Sequence, residues 1–334
     1  MSRLKTALIA ASLLAAAPAH AECRGRDYLA ALATSAPAAA ARLEAAVAAA
    51  PYAEGRFWRI EKEGRTSWAF GTFHSADPAI TALPPEVQEA LAASRLLMVE
   101  IAPDERARLG AILAADPGLV VDLSGAKLSA SLAAGEMAEL SALLKPYGIT
   151  AATAETMRPW FLNLLLATPA CELADLARGR PVLDEIVAEK AAGLGKPVRG
   201  LESAEAAMAV FRDFRPEDQL RLLRLNIAFG ALGEEIAASM GRLYLEEDIL
   251  RIWELNRLIA EELAGGADLQ PMLDDFHRRA LVERNRAWLE RALPELEEGG
   301  VVIAVGALHL AGPDSLQAML EARGYRVTRV ALAR

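Results

Sequence analysis

The spacing of apolar and polar positions changes several times along the chain, and each change predicts an element. Residues 56–62 (RFWRIEK) alternate, Gly64 supplies a turn, and 66–73 (TSWAFGTF) returns, a pattern typical of a β-hairpin. Continuous apolar runs at 95–101 (RLLMVEI) and 300–306 (GVVIAVG) predict strands that are covered on both faces. The chain is therefore expected to contain a sheet with layers on both sides.

The remaining segments divide into short extended pieces and long stretches with helical spacing. Further strand-like pieces are 118–123, 197–202 and 325–332, and helical segments are 26–50, 84–94, 103–115, 129–145, 158–168, 182–194, 203–297 and 313–323. The closing strand–helix–strand favours parallel pairing there, whereas the opening hairpin is antiparallel. The prediction is an α/β fold over 22–334, read as a single domain. Its mixed central sheet has flanking helices and a large helical insertion over 203–297, and the C-terminal strand–helix–strand completes it.

The first 21 residues have the pattern of an export signal. Arg3 and Lys5 precede an apolar run of about a dozen residues, and a small-residue cleavage pattern ends at Ala21. The run is too short to span a bilayer, and a buried N-terminal helix fits the cationic flank less well. We expect cleavage before Glu22, a periplasmic or secreted mature chain, and no membrane span within it.

The charge balance narrows the choice of partners. The chain has 36 Lys and Arg against 45 Asp and Glu, a formal charge of −9, which becomes −11 when Arg3 and Lys5 leave with the signal. Such an acidic chain has no basic patch for nucleic acid and no polybasic segment for anionic lipid. The expected partner is a peptide or a small-molecule substrate, and the sequence leaves the oligomeric state open.

Two cysteines, Cys23 and Cys171, stay in the mature chain. An even pair in an oxidising compartment favours a disulfide, which would close a loop of about 150 residues. The alternative is two unpaired thiols, one of them buried.

Two histidines end the same kind of tetrapeptide. His74 closes Gly-Thr-Phe-His and His309 closes Gly-Ala-Leu-His, and each follows an apolar strand. Residues just past the carboxyl ends of strands line the ligand crevice of open α/β sheets, and the glycine gives the backbone freedom to turn there. We therefore expect both imidazoles in one crevice.

Two carboxylates have the same position at strand ends. Glu100 ends an otherwise apolar strand, where a charge is costly unless it is paired. An arginine could pair with it, or it could ligate a metal beside the two histidines, since two imidazoles and one carboxylate form a recurrent hydrolytic site. Glu202 ends Val-Arg-Gly-Leu-Glu and is a candidate second ligand or general base.

Weaker candidates lie outside these strand ends. Arg284 and Asn285 are candidates to hold a substrate carboxylate or an oxyanion from a helix. His277, among charges on a predicted helix, is interpreted as a surface residue. The short motifs Arg158-Pro159-Trp160 and Leu183-Asp184 are as consistent with a packing or helix-capping role as with a catalytic one. The sequence has no nucleophile elbow, no Walker loop, no dinucleotide fingerprint and no HExxH.

Taken together, these motifs resemble the TraB/GumN family. The resemblance is carried by GTFH at 71–74, the glutamate of LLMVEI, GLE at 200–202, RN at 284–285 and VGALHLAGPDSL at 305–316. It extends over about 23–334. Cys-x-Gly at 23–25, Pro-x-Cys at 169–171 and Leu183-Asp184 are similar to its exported bacterial branch. The family is related to the Tiki metalloproteases and, more distantly, to erythromycin-esterase-like and ChaN-like proteins.

The resemblance implies an α/β fold with helical insertions and a divalent-metal-dependent hydrolase, peptidase-like as in the Tiki relatives. His74, Glu100 and His309 would hold manganese, cobalt or zinc, with Glu202, Arg284 and Asn285 as further catalytic residues. Two alternatives stay open. One is a metal-independent esterase in which a histidine is the general base, and the other is a non-enzymatic periplasmic protein that binds metal or haem through the same histidines.

Overall fold

A computed structural model describes residues 23, 25–230, 232–263 and 268–333. The predicted signal peptide, 1–21, lies outside the described residues. The division of the chain into a signal and one domain therefore stays a prediction.

Six strands form one mixed sheet in the order β4-β3-β5-β2-β1-β6. They are β1 (Phe57–Lys62), β2 (Arg65–Thr72), β3 (Leu96–Ile101), β4 (Val198–Glu202), β5 (Val301–Gly306) and β6 (Arg326–Arg329). The pairs β2–β5, β5–β3 and β3–β4 are parallel, and β1 pairs antiparallel with both β2 and β6. The predicted α/β fold with a mixed sheet is confirmed.

One detail of the predicted sheet is wrong. The last two strands were expected to pair in parallel, but β5 lies between β3 and β2, while β6 pairs with β1 at the edge. Both sides of β5 are already occupied, so the final strand adds to the free side of the hairpin. β5 is thus a central strand of the sheet, and β6 is an edge strand.

The described helices lie on both sides of this sheet and in the insertion. The α-helices are α1 (Tyr28–Ser35), α2 (Pro37–Ala49), α3 (Pro78–Thr81), α4 (Pro85–Ala93), α5 (Pro103–Ala115), α6 (Ala134–Leu144), α7 (Ala151–Ala154), α8 (Pro159–Leu166), α9 (Leu173–Ala177), α10 (Leu183–Gly193), α11 (Ala204–Arg212), α12 (Pro216–Gly230), α13 (Gly233–Leu245), α14 (Ile249–Leu263), α15 (Gln270–His277), α16 (Arg284–Glu298) and α17 (Leu316–Ala322). Helices α11 to α16 form the predicted insertion between β4 and β5.

Shorter helical turns connect these elements. Single 3₁₀ turns are Pro117–Leu119, Leu128–Ala130, Lys145–Tyr147, Ala170–Glu172 and Ala307–Leu310, and a π-helical turn, Arg278–Glu283, joins α15 to α16. The extended piece expected at 118–123 is wrong, because 3₁₀ hydrogen bonds close this segment and leave one bridge, between Val121 and Met157.

The sheet is buried on both faces. Along β5, Val302 and Ala304 pack into one hydrophobic cluster, whereas Val301, Ile303 and Val305 pack into the other. Alternate residues of a strand point to opposite faces, so a run without polar positions requires cover on both sides. A third cluster lies under α6, α8 and α12.

A disulfide joins Cys23 to Cys171, as predicted, with a Cα–Cα distance of 5.2 Å. It fixes the start of the described chain to the turn Ala170–Glu172. The carboxylate Oε2 of Glu172 accepts a hydrogen bond of 3.1 Å from the backbone N–H of Ala76. The cross-link is thus attached to the segment that follows His74.

Within the described ranges no single helix has both the length and the hydropathy to cross a bilayer. Two consecutive helical segments, Pro159–Leu166 and Ala170–Ala177, reach the required length and hydropathy only when they are counted together. The second segment is bent by 64° from the first.

Candidate functional site

The polar residues expected at strand ends meet at one edge of the sheet. Four strands, β4, β3, β5 and β2, are parallel neighbours, so their carboxyl ends lie side by side. Glu100 belongs to β3, Glu202 ends β4, His74 follows β2, and His309 lies in the 3₁₀ turn after β5. The topology brings together side chains that are up to 235 positions apart in the sequence.

The glycines of the two Gly-x-x-His motifs allow a close approach of the backbone. A Cβ on Gly71 would lie 2.9 Å from both Cα and Cβ of Ala307, which belongs to the second motif. A Cβ on Gly306 would lie 3.2 Å from Oε1 of Glu100. Glycine is therefore required where the first motif packs on the second and is favoured where the second approaches the carboxylate.

A carboxylate holds the His74 ring in place. Asp184, in the first turn of α10, lies with Oδ2 2.7 Å from Nδ1 of His74, and its Oδ1 accepts a 2.6 Å hydrogen bond from the Thr72 hydroxyl. The Asp184 charge is the largest effect on the ring and raises the pKa of His74 to about 9. At neutral pH the ring is therefore a cation: Nδ1–H donates to Asp184, and Nε2–H is left for the cleft that the ring lines.

An amide holds the His309 ring. Nδ2 of Asn285 donates to the backbone carbonyls of His309 (3.2 Å) and Asp314 (2.9 Å), so its Oδ1 accepts from His309 Nδ1 at 2.7 Å. Burial, together with the nearby Arg284 cation, lowers the pKa of His309 to about 3. The ring is neutral and carries its lone pair on Nε2.

Glu100 lies between the two histidines. Burial alone would raise the pKa of its carboxyl, but Arg284, the histidines and the Gly306 N–H outweigh burial and lower it to about 2. Oε1 accepts from Gly306 N at 2.6 Å and lies 3.9 Å from His309 Nε2. The group is ionised at any physiological pH.

Arg284 links the carboxylates to His309. Its Nη2 donates to Glu100 Oε2 (2.7 Å) and Glu202 Oε1 (2.6 Å), its Nε donates to Glu202 Oε2 (3.2 Å), and its Nη1 lies 3.3 Å from His309 Nε2. The guanidinium also lies 4.4 Å from the Trp288 ring centre. Glu202 accepts a further bond from Trp288 Nε1 at 3.2 Å, so both of its oxygens are occupied in bracing Arg284.

The two histidines and Glu100 are residue types that bind divalent cations, but in this structure Arg284 lies between Glu100 and His309. Two imidazoles, each held through Nδ1 by an oxygen acceptor, and one ionised carboxylate match the usual ligands and their supporting contacts. Yet no group of three or more His, Cys, Asp or Glu among the described side chains is arranged to hold an ion as it stands. The Arg284 guanidinium bridges Glu100 and His309 and supplies the positive charge there.

A cavity of about 860 Å³ opens beside this site. Its lining includes His74, Glu100 and Asp184, and it extends between the first turn of α5 and one face of α10. The polar site is therefore accessible to a molecule larger than water.

Other predicted residues lie elsewhere. The His277 ring packs 5.0 Å from that of Trp253 and lines a separate cavity of about 310 Å³. Nε of Arg158 and the indole N–H of Trp160 donate to carbonyls of the turn at Gly118 and Leu119. These residues serve packing in the described structure.

Some residues of the site carried little signal in the sequence. Asp184 belonged to a dipeptide, Leu183-Asp184, whose sequence fitted packing or capping as well as chemistry. Thr72 lies inside the first Gly-x-x-His motif, but nothing in the sequence marked it as a site residue. Trp288 follows Arg284 by four positions, a spacing that places both on one helix face and could have pointed to it. Tyr244, whose hydroxyl donates to the Gly71 carbonyl at 2.8 Å, carried no signal.

A model of the TraB/PrgY/gumN family matches residues 56–329, a range that includes every residue of the site. No curated protein and no solved structure matches the chain significantly.

Proposed function

The chain belongs to the TraB/PrgY/gumN family, and from its site we propose that it is an exported, peptidase-like hydrolase that uses a divalent cation. The residues proposed to hold the cation are His74, Glu100 and His309, and the proposed ion is manganese, cobalt or zinc. Export rests on the N-terminal sequence pattern, and hydrolysis rests on the site.

One observation carries the proposal: both histidines are held through Nδ1, by Asp184 and by Asn285. Ligating histidines characteristically make such a contact with the nitrogen that does not bind the metal. It fixes the orientation of each ring and directs Nε2 to the proposed ion. His309 Nε2 already has a free lone pair, whereas His74, with a pKa of about 9, must give up its Nε2 proton when the ion binds. The ionised Glu100 adds the negative charge that an ion of this class prefers.

When bound, the cation would supply a water that ionises near neutral pH. Hydrolysis of a peptide would add the elements of water across the C–N bond: the carbonyl carbon gains an oxygen and the departing nitrogen gains a proton. Arg284 stabilises the negative charge that develops on the carbonyl oxygen, while Glu202 and Trp288 hold the guanidinium in place. To serve in this way, Arg284 must release Glu100 and His309, and its two bonds to Glu202 keep it at the site.

The position of Arg284 favours a second candidate, a metal-independent hydrolase. The guanidinium already bridges Glu100 and His309, so a positive charge is present without an ion. In that enzyme His74 is the general base: with a pKa of about 9 the ring is a cation at neutral pH, so Nε2 accepts the proton of the attacking water only in the minor neutral form, while Asp184 orients the ring through Nδ1.

Peptide cleavage distinguishes the two candidates. The protein from Glu22 is treated with a chelator, dialysed, and reloaded separately with manganese, cobalt and zinc before incubation with a peptide library. The proposal predicts cleavage that is lost on chelation, restored by at least one ion, and absent from a folded Glu100→Gln variant. His277→Ala is the matched control and should cleave normally. Cleavage that persists without metal supports the second candidate, and no cleavage under any condition contradicts both.

A further inference from the structure

The cavity beside the site is a groove with two different ends. One end contains His74, Glu100 and Asp184, and the other contains Lys196. Its floor includes Val99 of β3, so the groove runs along the sheet surface from the carboxyl end of that strand.

The groove is long enough for several residues of an extended chain. Leu97 of β3 pairs with Val198 of β4, so Lys196, two residues before Val198, lies beside the strand about five positions before Glu100. Five strand positions span roughly 17 Å, and α10 from Asp184 to its end at Gly193 spans roughly 14 Å at the helical rise. At about 3.3–3.6 Å per residue, an extended peptide of roughly three to five residues fits between the ends.

Both walls of the groove carry small apolar side chains as well as charged ones. Ala107 of α5 faces Ala188 and Ala192 of α10, and Val198 adds to the floor beneath them. Small side chains on both walls leave width for a polypeptide backbone with side chains of modest size.

The charges of the groove single out Lys196. The lining has three cations: Arg106 is paired with Glu185 and His74 with Asp184, whereas Lys196 forms no ion pair with any described residue. Asp104 and Glu189 line the walls between the ends and repel anions along the way. An anionic group is therefore favoured at the far end of the groove alone.

We propose that this groove binds the C-terminal segment of a peptide substrate, with the free terminal carboxylate on the Lys196 ammonium. This inference rests on the proposed peptidase function. It places the scissile bond at the polar site, roughly three to five residues before the C-terminus. Hydrolysis there adds water across the C–N bond and releases a short peptide with its carboxylate unchanged.

Binding to metal-free protein tests the groove independently of catalysis. The probes are N-terminally fluorescein-labelled tetraalanine with a free C-terminal carboxylate and the same peptide as its amide, measured by fluorescence polarisation after chelator treatment. Wild type should bind the acid roughly three- to tenfold more tightly than the amide. Lys196→Ala should remove the difference and Lys196→Glu should reverse it. Lys190→Ala, the same change on the exposed face of α10, should leave it intact.

A second variant tests the groove itself. Ala192→Leu narrows it at an exposed helical position and should weaken binding of the acid and the amide alike. The inference is overturned if wild type binds neither probe, if it does not prefer the acid, or if Lys196→Ala keeps the preference. An acid preference that depends on Lys196, in a protein that cleaves nothing with any ion, would uphold the groove and refute the peptidase.

Discussion

Arg284 Nη2 lies 2.7 Å from Glu100 Oε2 and holds a buried carboxylate in its charged form. Burial alone would raise the pKa of Glu100, yet with Arg284 and the other positive groups nearby the pKa is about 2. One side chain of the helical insertion thus determines the electrostatics of the strand end that carries Glu100.

Removing this cation should destabilise the fold. Arg284→Met removes the guanidinium that neutralises the buried carboxylates of Glu100 and Glu202, and we expect the free energy of unfolding to fall by about 3 kcal/mol. Arg199→Met, which breaks an exposed pair with Glu295, is the control and should cost less than about 1 kcal/mol. Urea denaturation measures both. Equal stabilities of the two variants would show that Arg284 does not compensate a buried charge.

A divalent ion should replace part of the lost charge. Manganese added to Arg284→Met should raise its melting temperature more than that of Arg199→Met, since a metal bound to the native state stabilises it by mass action. A thermal scan with chelator and with manganese makes the comparison. The same response in both variants would argue against competition between the guanidinium and an ion.

Asp184→Asn should lower the pKa of His74. The Asp184 charge is the largest cause of the raised value, so in the variant the pKa should fall from about 9 toward its ordinary value. NMR titration of the ring Cε1–H in metal-free protein measures the change. The His277 ring, packed on Trp253 outside the site, provides the internal control. An unchanged His74 titration would contradict the assigned contact.

Asn285→Ala should loosen His309 and weaken metal binding. The variant removes the acceptor of His309 Nδ1 and takes the side-chain donor from two carbonyls, the buried one of His309 and the partly buried one of Asp314. We expect a loss of about 1–3 kcal/mol in stability and a 10- to 100-fold weaker metal affinity, from urea denaturation and calorimetry respectively. Wild-type affinity in the folded variant would mean that the amide does not orient the ring.

Tyr244→Phe should change the surroundings of the His74 ring and shift its NMR signal. The lost hydroxyl holds the Gly71 carbonyl, at the turn that leads to His74, and its removal should cost about 1 kcal/mol. Tyr147→Phe removes a comparable bond, to the Thr168 carbonyl away from the site. Only Tyr244→Phe should shift the NMR signal of the His74 ring. Equal shifts in both variants would rule out a specific link.

The sequence could predict the strand ends because local pattern defines them. The run at β5 has no polar residue until Gly306, and two Gly-x-x-His motifs follow strands, so a common edge for both histidines was predictable. The partners of those histidines were not, because Asp184 and Asn285 come from helices that only tertiary packing brings to the edge.

The two readings of Glu100 show the same limit. An apolar strand that ends in a carboxylate requires a positive partner, and the sequence offered an arginine or a metal. In the structure the positive partner is Arg284, which directly follows the π-helical turn Arg278–Glu283. Such turns, which are frequent at functional sites, leave no periodic signal that would have placed Arg284 over β3 in advance.

The most direct test of the central claim is the metal content of the protein that begins at Glu22. Mass spectrometry after reloading with manganese, cobalt or zinc should find about one ion per chain in wild type. The ion should be lost from His74→Ala and His309→Ala and kept in His277→Ala, with normal circular dichroism throughout. An absence of bound metal in wild type, or full retention in either site variant, would contradict a cation site formed by His74, Glu100 and His309.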